Sequence, residues 1–489
     1  MKRNKNIIVI ALLLMTMLFS ACDKHLNIEP QQSIDDKKVY TNEAGIVNAL
    51  SGAYSILAGP DFFAGTSVFH SDLIANSNNS TIGWIGTFNG YKQMNNKSLD
   101  PTEATIATKW TSAYEAINIL NNCLANLDSI KDVDVKRSVY GQARFLRGVF
   151  YFELVRFYAL PYGFDPSKLG VPIVTNPVLD LSKITYPSRS SISDVYTFVL
   201  NDLTAAKDSL EVGGANTNGG LASSTNASAF LVRVYMSMSD WANAAIEATN
   251  VIDVFGASAL NVTPRLCYDN IAYTFEDVFM IRQNLVSNAG NSNNGVGTFY
   301  ASLPGFGRGD AYVRAGHLAL YEATDLRGGL MDNPYAKTAA DINEMYYWGV
   351  GTNAGRRMTV KFAKFDAYVN VIRLAEMYLS RAEANFNNSS AIGDTPMNDI
   401  NVIRARANAT LLVGAPTLAE IKTEWVKEMC FEGHALGNLK RWKGSTIAPS
   451  TSPWAGQSIP WNDGRLVLPI PQREMDVNSN LVQNDAYIH

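Results

Sequence analysis

The chain has 489 residues, a net charge of −4, 47% hydrophobic and 10% aromatic residues. That length supplies two or three domain-sized units with ample volume for a core. The near-neutral balance excludes a nucleic-acid partner, which calls for a basic face, and the many aromatics and asparagines suit a neutral polar ligand better than a charged one.

The first residues predict export. Lys2, Arg3 and Lys5 precede an apolar run from Ile7 to Phe19 broken only by Thr16, and Ser20-Ala21-Cys22 closes it with small residues. A run this short is a signal peptide over 1–21 rather than a span, because a bilayer core needs about 20 apolar residues. Leu18-Phe19-Ser20-Ala21-Cys22 looks like a bacterial lipobox, in which Cys22 is acylated and becomes the first mature residue. Each buried methylene of an acyl chain contributes about 0.8 kcal/mol, so several chains anchor a globule durably. Residues 22–36 are polar and carry Pro30, as a tether does. Later apolar stretches are broken by charges such as Arg144, Arg147, Glu153 and Arg156, so no transmembrane helix is expected. Cys123, Cys267 and Cys430 form no CxxC or zinc-like cluster, and Cys123 and Cys430 read as buried thiols among apolar helical residues.

Helical periodicity dominates residues 37–489 and comes in pairs. Ala113, Ile117, Leu120, Leu124 and Leu127 mark a helix over 110–130; Ala143, Leu146, Phe150, Leu154 and Phe157 mark another over 139–158, stopped by Pro161 and Gly163. A capped helix follows over 193–210. Helices over 226–238 and 241–252 make a second hairpin, and 369–386 with 398–409 make a third. Hairpins with alanine at contact positions resemble tetratricopeptide repeats, though the spacing is irregular. The expected fold is mainly α: a scaffold of helical hairpins carrying loop-rich insertions near 62–101 and 283–357. Long irregular segments in a compact fold are uncommon and usually functional.

Nearly end to end, the residues resemble the SusD/RagB outer-membrane nutrient-binding lipoproteins of Bacteroidota. The likeness is carried by Cys22-Asp23-Lys24 with Leu26 and Pro30; by Phe145-Leu146-Arg147 through Phe152-Glu153-Leu154-Val155-Arg156; and by Leu169-Gly170-Val171-Pro172-Ile173-Val174. Arg373-Leu374-Ala375-Glu376-Met377-Tyr378-Leu379, Arg381-Ala382-Glu383-Ala384 and Asn401-Val402-Ile403-Arg404-Ala405-Arg406-Ala407 continue it. Leu468-Pro469-Ile470-Pro471, Asn478, Asn480-Leu481 and Gln483-Asn484 complete it. In the stretch 424–442, Trp425 and Ala435 stand where the family usually has arginines and Asn438 where it has aspartate, whereas Glu428, Glu432-Gly433 and Arg441 are kept. These positions read as internal salt-bridge scaffolding, so the departures touch local ion pairs and not the fold.

The resemblance implies a cell-surface, lipid-anchored outer-membrane protein that captures glycans and passes them to a SusC-like TonB-dependent transporter. A peptide-binding member and a protein-only scaffold of the transporter complex are the alternatives. It implies no catalysis, and the chain has no HExxH, no GxSxG and only five histidines. No cofactor is expected; a structural calcium stays open, since oxygen ligands leave no spacing signature outside an EF-hand.

Trp84 with Asn89 and Tyr91, and Tyr346-Tyr347-Trp348, are the candidate ligand contacts, with Asp72 and Arg308 as polar partners. Sugar rings stack their C–H faces on aromatic rings while their hydroxyls seek neutral or acidic hydrogen-bond partners. The competing reading is that these aromatics pin long loops to the core. Cys430 and His434 have the spacing of two metal ligands on one helix face, but no second pair supports them. Gly305-Phe306-Gly307-Arg308-Gly309 lacks the Lys-Ser/Thr of a phosphate loop and reads as a turn.

Overall fold

The computed structural model describes residues 36–488 apart from 78–79, 215–219, 257–258, 269, 291 and 332–343. The proposed signal peptide, the lipidated Cys22 and most of the tether lie outside the described residues. Among the described residues, no helix is long and apolar enough to cross a membrane.

A continuous stack of antiparallel helices forms the scaffold: α1 (Glu43–Leu57), α2 (Thr66–Ala75), α3 (Asn89–Asn95), α4 (Ala104–Ala125), α5 (Val133–Tyr158), α6 (Ile192–Ser209), α7 (Ser224–Met238), α8 (Trp241–Phe255), α9 (Leu374–Asn388), α10 (Pro396–Arg406), α11 (Leu418–Met429) and α12 (Ala435–Arg441). From α4 to α10 each packs on the next, and α11 closes against α9 and α10. Local chemistry starts these helices. Asp132 and Ser191 accept backbone N–H bonds at the heads of α5 and α6. Capping boxes at Ser223/Asn226 and Thr417/Glu420 open α7 and α11. Between α7 and α8 the turn is made by Ser239 at φ 61°, followed by the Asp240 cap. Ala244, Ala245 and Ala248 on α8 are fully buried, which lets α7 and α9 approach closely.

Two of the expected elements differ. Residues 369–373 are a strand, β7 (Val369–Arg373), antiparallel to β2 (Asp277–Ile281), and the helix begins only at Leu374. The apolar run Val369, Val371, Ile372 joins a true helical stripe without a break, and short apolar runs do not separate strand from helix. Block 62–101 contains the whole of α2, whose residues Thr66 to Ile74 are all buried. A helix covered on every side has no polar face, so its period is invisible.

Cys430 lies outside a helix as well: it caps α11 in an extended conformation, and Phe431 (φ 67°) and Gly433 (φ 82°) turn the chain before α12. The four-residue helical spacing of Cys430 and His434 is therefore not realised. Cys123, Cys267 and Cys430 are all buried and free.

The centre of the molecule is ionic. The Arg373 side chain, wholly buried, meets Glu276 (2.6 Å), Glu428 (3.0 Å) and Glu432 (2.8 Å). Arg406 spans Glu276 and Glu428, and Lys361 joins Glu432 at 2.5 Å. Arg327 reaches Asp325, Glu424 and Glu428, while Arg404 ties Glu424 to Glu322. This network clamps α10 and α11 to the start of α9 and to the β2–β7 pair. Nearby, Arg441 pairs with Glu383 at 2.7 Å and donates to Asn438 Oδ1 at 2.9 Å. The kept residues Glu428, Glu432 and Arg441 thus act as internal scaffolding.

Removing one member of such a cluster strands the other charges in the interior. Arg373→Met is expected to cost about 3–5 kcal/mol, read from the urea midpoint of the purified protein. Acid should act similarly. The Arg373 and Lys361 cations outweigh the burial that opposes them and hold Glu432 down at about 2. A carboxylate lowered on folding stabilises the native state above its unfolded value of about 4.3 and loses that contribution as pH falls toward 2. The thermal midpoint is expected to drop between about pH 4.5 and 2.5, with a shallower slope in Glu432→Gln.

Candidate functional site

The loop blocks converge on a five-stranded sheet in the order β1 (Ile82–Trp84), β3 (Ala311–Val313), β6 (Arg357–Thr359), β5 (Tyr346–Trp348), β4 (Leu330–Met331). All its strands are three residues or fewer. Its register decides which side chains share a face. Ile82 pairs with Val313, Val313 with Arg357, and Arg357 with Trp348. Directly paired residues project to the same side, and alternate residues along a strand do too. Trp84, two residues from Ile82, and Trp348 therefore lie on one face. Three strand spacings separate β1 from β5, roughly 14 Å.

Both tryptophans are half-buried. Trp84 packs on Phe69 of α2 with centroids 5.6 Å apart, and its indole N–H is buried without an acceptor. The Arg357 guanidinium lies 5.0 Å from the Trp348 ring. On the opposite face Tyr312, also half-buried, lies across Gly83, where a Cβ would overlap its ring. Gly86 makes the same allowance for Trp84.

Phe88, at 45% exposure, is an exposed aromatic outside the candidates drawn from the sequence. It caps α3 and lies under the Arg308 guanidinium at 4.5 Å. Arg308 is held by Asp310 (Nε to Oδ2, 2.7 Å) and touches the Phe299 ring at 5.5 Å. Asn89, exposed beside Phe88, donates to Glu103 Oε1 at 2.6 Å. Phe88 belongs to no helical stripe, and that lack of a packing role was the one signal available. Tyr312 carried none.

The remaining candidates are built into the core and present no ring face to solvent. Tyr91 is 1% exposed, donates to Asn294 Oδ1 at 2.7 Å and stands edge-on to Phe69 and Phe299. The Tyr346 hydroxyl shares a cluster with His317 Nε2 and Tyr321 (both 3.1 Å), and the Tyr347 hydroxyl accepts from Ser302 N at 3.0 Å. These three tyrosines fix the loops to the scaffold. Asp72 is buried too. It accepts from the Tyr300 hydroxyl at 2.6 Å, and burial pushes its carboxyl up to about 7. It lines a cleft of about 330 Å³ between α2, the short helical turn Ala315–Leu318 and the α11–α12 region. Trp425, Ala435 and Asn438, the three departures noted above, line the same cleft.

Among the described residues, no group of three or more His, Cys, Asp or Glu is arranged to hold a metal ion. Burial pushes the imidazoles of His317 and His434 down to about 3, so both are neutral at physiological pH.

Comparison with known proteins places this architecture. A family described as "Starch-binding associating with outer membrane" matches residues 24–236, and the SusD family matches residues 321–487. The chain belongs to the SusD/RagB family. "SusD-like protein P2" of Formosa agariphila is 26% identical over 515 aligned positions, covering 94% of this chain and 95% of that protein. "Starch-binding protein SusD" of Bacteroides thetaiotaomicron is 29% identical over 34% of each chain. Among solved structures, a SusD superfamily protein from Bacteroides thetaiotaomicron superposes with a TM-score of 0.76 at 22% identity, covering 91% of this chain and 99% of the other. Surface glycan-binding protein A from Bacteroides fluxus gives 0.72 at 20%, covering 91% and 100%. The superposition spans 91% of this chain, so the SusD superfamily fold extends through nearly all of it.

The glycine beneath Tyr312 supplies a local test. Gly83→Ala is expected to displace that ring, changing the near-ultraviolet circular dichroism, while far-ultraviolet signal and stability stay within about 1 kcal/mol.

Proposed function

We propose that this SusD/RagB-family chain captures glycans at the cell surface, tethered through an acylated Cys22, and hands them to a SusC-like TonB-dependent transporter. The observation that carries the reading is the pair Trp84 and Trp348, brought from segments more than 260 residues apart in sequence onto one face of one sheet. Phe88, exposed and backed by Arg308, adds apolar area. Rings at several points along a surface suit a chain of sugars, each unit stacking weakly while its hydroxyls reach polar groups. Single aromatic contacts contribute about 1 kcal/mol each, so affinity in the micromolar to millimolar range is expected. That weakness fits a protein that must release its cargo.

Family membership supports the same role, since relatives are named for starch and glycan binding. The site offers stacking surfaces with polar groups at their rim, Arg308 paired with Asp310 and Asn89 bonded to Glu103. Binding and delivery, without bond cleavage, is the function proposed.

The decisive experiment is isothermal titration of the chain beginning after Cys22 against starch-derived, xylan-derived and mannan-derived oligosaccharides, with a peptide digest as comparison. Saturable glycan binding is expected to weaken about fivefold in Trp84→Ala or Trp348→Ala and about twofold in Phe88→Ala. Binding confined to the peptide digest would replace the glycan reading. Glycan binding unaffected by all three substitutions would remove the aromatic face from it.

A further inference from the structure

The arginines around the loop-borne sheet differ in how much of their bonding capacity the protein uses. Arg308 is held by Asp310. Arg314 Nε donates to the Ile82 carbonyl at 2.7 Å, and Arg356 Nη1 donates to the Thr352 carbonyl at 2.7 Å. Arg357 has no such partner. Among the described residues its guanidinium makes no hydrogen bond and no ion pair, and its ring contact is with Trp348 at 5.0 Å.

Its position gives that free group a use. Strand β6 is the middle strand of the sheet, and the register pairs Arg357 with Val313 on one side and Trp348 on the other. Arg357 therefore projects from the same face as Trp84 and Trp348, between the strands that carry them. The residue is half-buried: Nε is sealed in the protein without an acceptor, whereas the two terminal nitrogens are not sealed and meet no acceptor either. A cation resting on an indole is attracted to it without any ligand, but that contact leaves the terminal N–H groups unused. Guanidinium is charged at every physiological pH, and its rigid fork of donors matches the two oxygens of an oxyanion. The carboxylates at the face are engaged elsewhere, Asp310 by Arg308 and Glu103 by Asn89.

We propose that Arg357 makes the aromatic face selective for acidic chains, whose rings carry a carboxylate or a sulfate ester. The inference rests on the reading of that face as a glycan site and narrows it. Trp84 and Trp348 supply the stacking, and the Arg357 fork receives the anionic substituent. A neutral hydroxyl accepts one N–H and leaves the charge uncompensated. A carboxylate or sulfate accepts two and cancels it, in the stronger, bidentate form of hydrogen bond. Whole-chain composition pointed to a neutral ligand because it averages over every residue, and the net charge of −4 exerts no long-range pull on an anion. Selectivity is thus a local matter of one free guanidinium held beside an indole.

The test is isothermal titration of the whole mature chain with short oligogalacturonates and with sulfated galactan oligosaccharides. Methyl-esterified oligogalacturonates and desulfated galactans serve as partners with the same backbone and no charge. At least one acidic form is expected to bind about tenfold more tightly than its uncharged partner, and which one does so identifies the substituent. Raising sodium chloride from about 0.05 to 0.5 M should narrow that gap. Arg357→Gln should bring the acidic form down to the affinity of its uncharged partner. Arg357→Lys, which keeps the charge and loses the fork, should recover only part of the difference. Thermal midpoints of both variants separate loss of selectivity from loss of fold. Equal affinity for charged and uncharged forms would overturn the proposal, as would an acidic preference that survives Arg357→Gln. In either case the face remains a glycan site if Trp84→Ala or Trp348→Ala still weakens binding. Silence from every oligosaccharide, or binding indifferent to both tryptophan substitutions, would instead bring down the reading of the face and the selectivity with it.

Discussion

Everything else in the molecule is positioned by one buried ionic cluster. Arg327, Lys361, Arg373 and Arg406 share the interior with Glu276, Asp325, Glu424, Glu428 and Glu432, and Arg404 with Glu322 carries the cluster to the surface. Charges taken out of water repay their desolvation only when geometry and pairing are nearly complete. Here each of these arginines meets two or more carboxylates, and each element that contributes one is thereby held in a single register. The cluster joins the C-terminal helices to the β2–β7 pair, and Lys361 extends it from the end of β6. A helical stack could slide along its apolar stripes, whereas a cluster of oriented forks cannot.

Packing on that anchor, the loop-borne sheet shows how an aromatic face is made from little regular structure. Its strands contribute few ladder bonds, and tertiary contacts supply the rest. Phe69, Phe299 and Tyr91 form an aromatic knot beneath Trp84, with Phe69 and Phe299 stacked 3.8 Å apart. The tyrosines of β5 point to opposite sides of the sheet and both are buried. Only the end of the strand, Trp348, reaches solvent.

The helical scaffold was legible because its helices are amphipathic and capped: α4 through α8 follow the stripes and stop signals of the sequence to within six residues, although α4 ends at Ala125 and leaves Leu127 in a separate turn. What escaped notice did so for physical reasons. Helix α2 is buried all round, β7 runs into α9 without a turn, and strands of two or three residues are too short for a period of two to register. The candidate site was partly legible. Trp84 and Trp348 carry an aromatic signal, and the structure adds that they share a face. Residue type could not distinguish them from Tyr91, Tyr346 and Tyr347, whose rings are spent on the core. Phe88 and Tyr312 acquire importance only through neighbours distant in sequence, Arg308 for one and Gly83 for the other.

The brevity of the sheet has a further consequence. Since the helices carry their own caps and the ionic cluster locks their ends, change is best tolerated at the exposed turns that join these short strands, such as the one carrying Ile85 and Phe88. Helix α2 and the Asp325–Arg327 pair lie in the same blocks and belong to the frame. A lineage built this way can remodel its surface one turn at a time and keep the same frame beneath it.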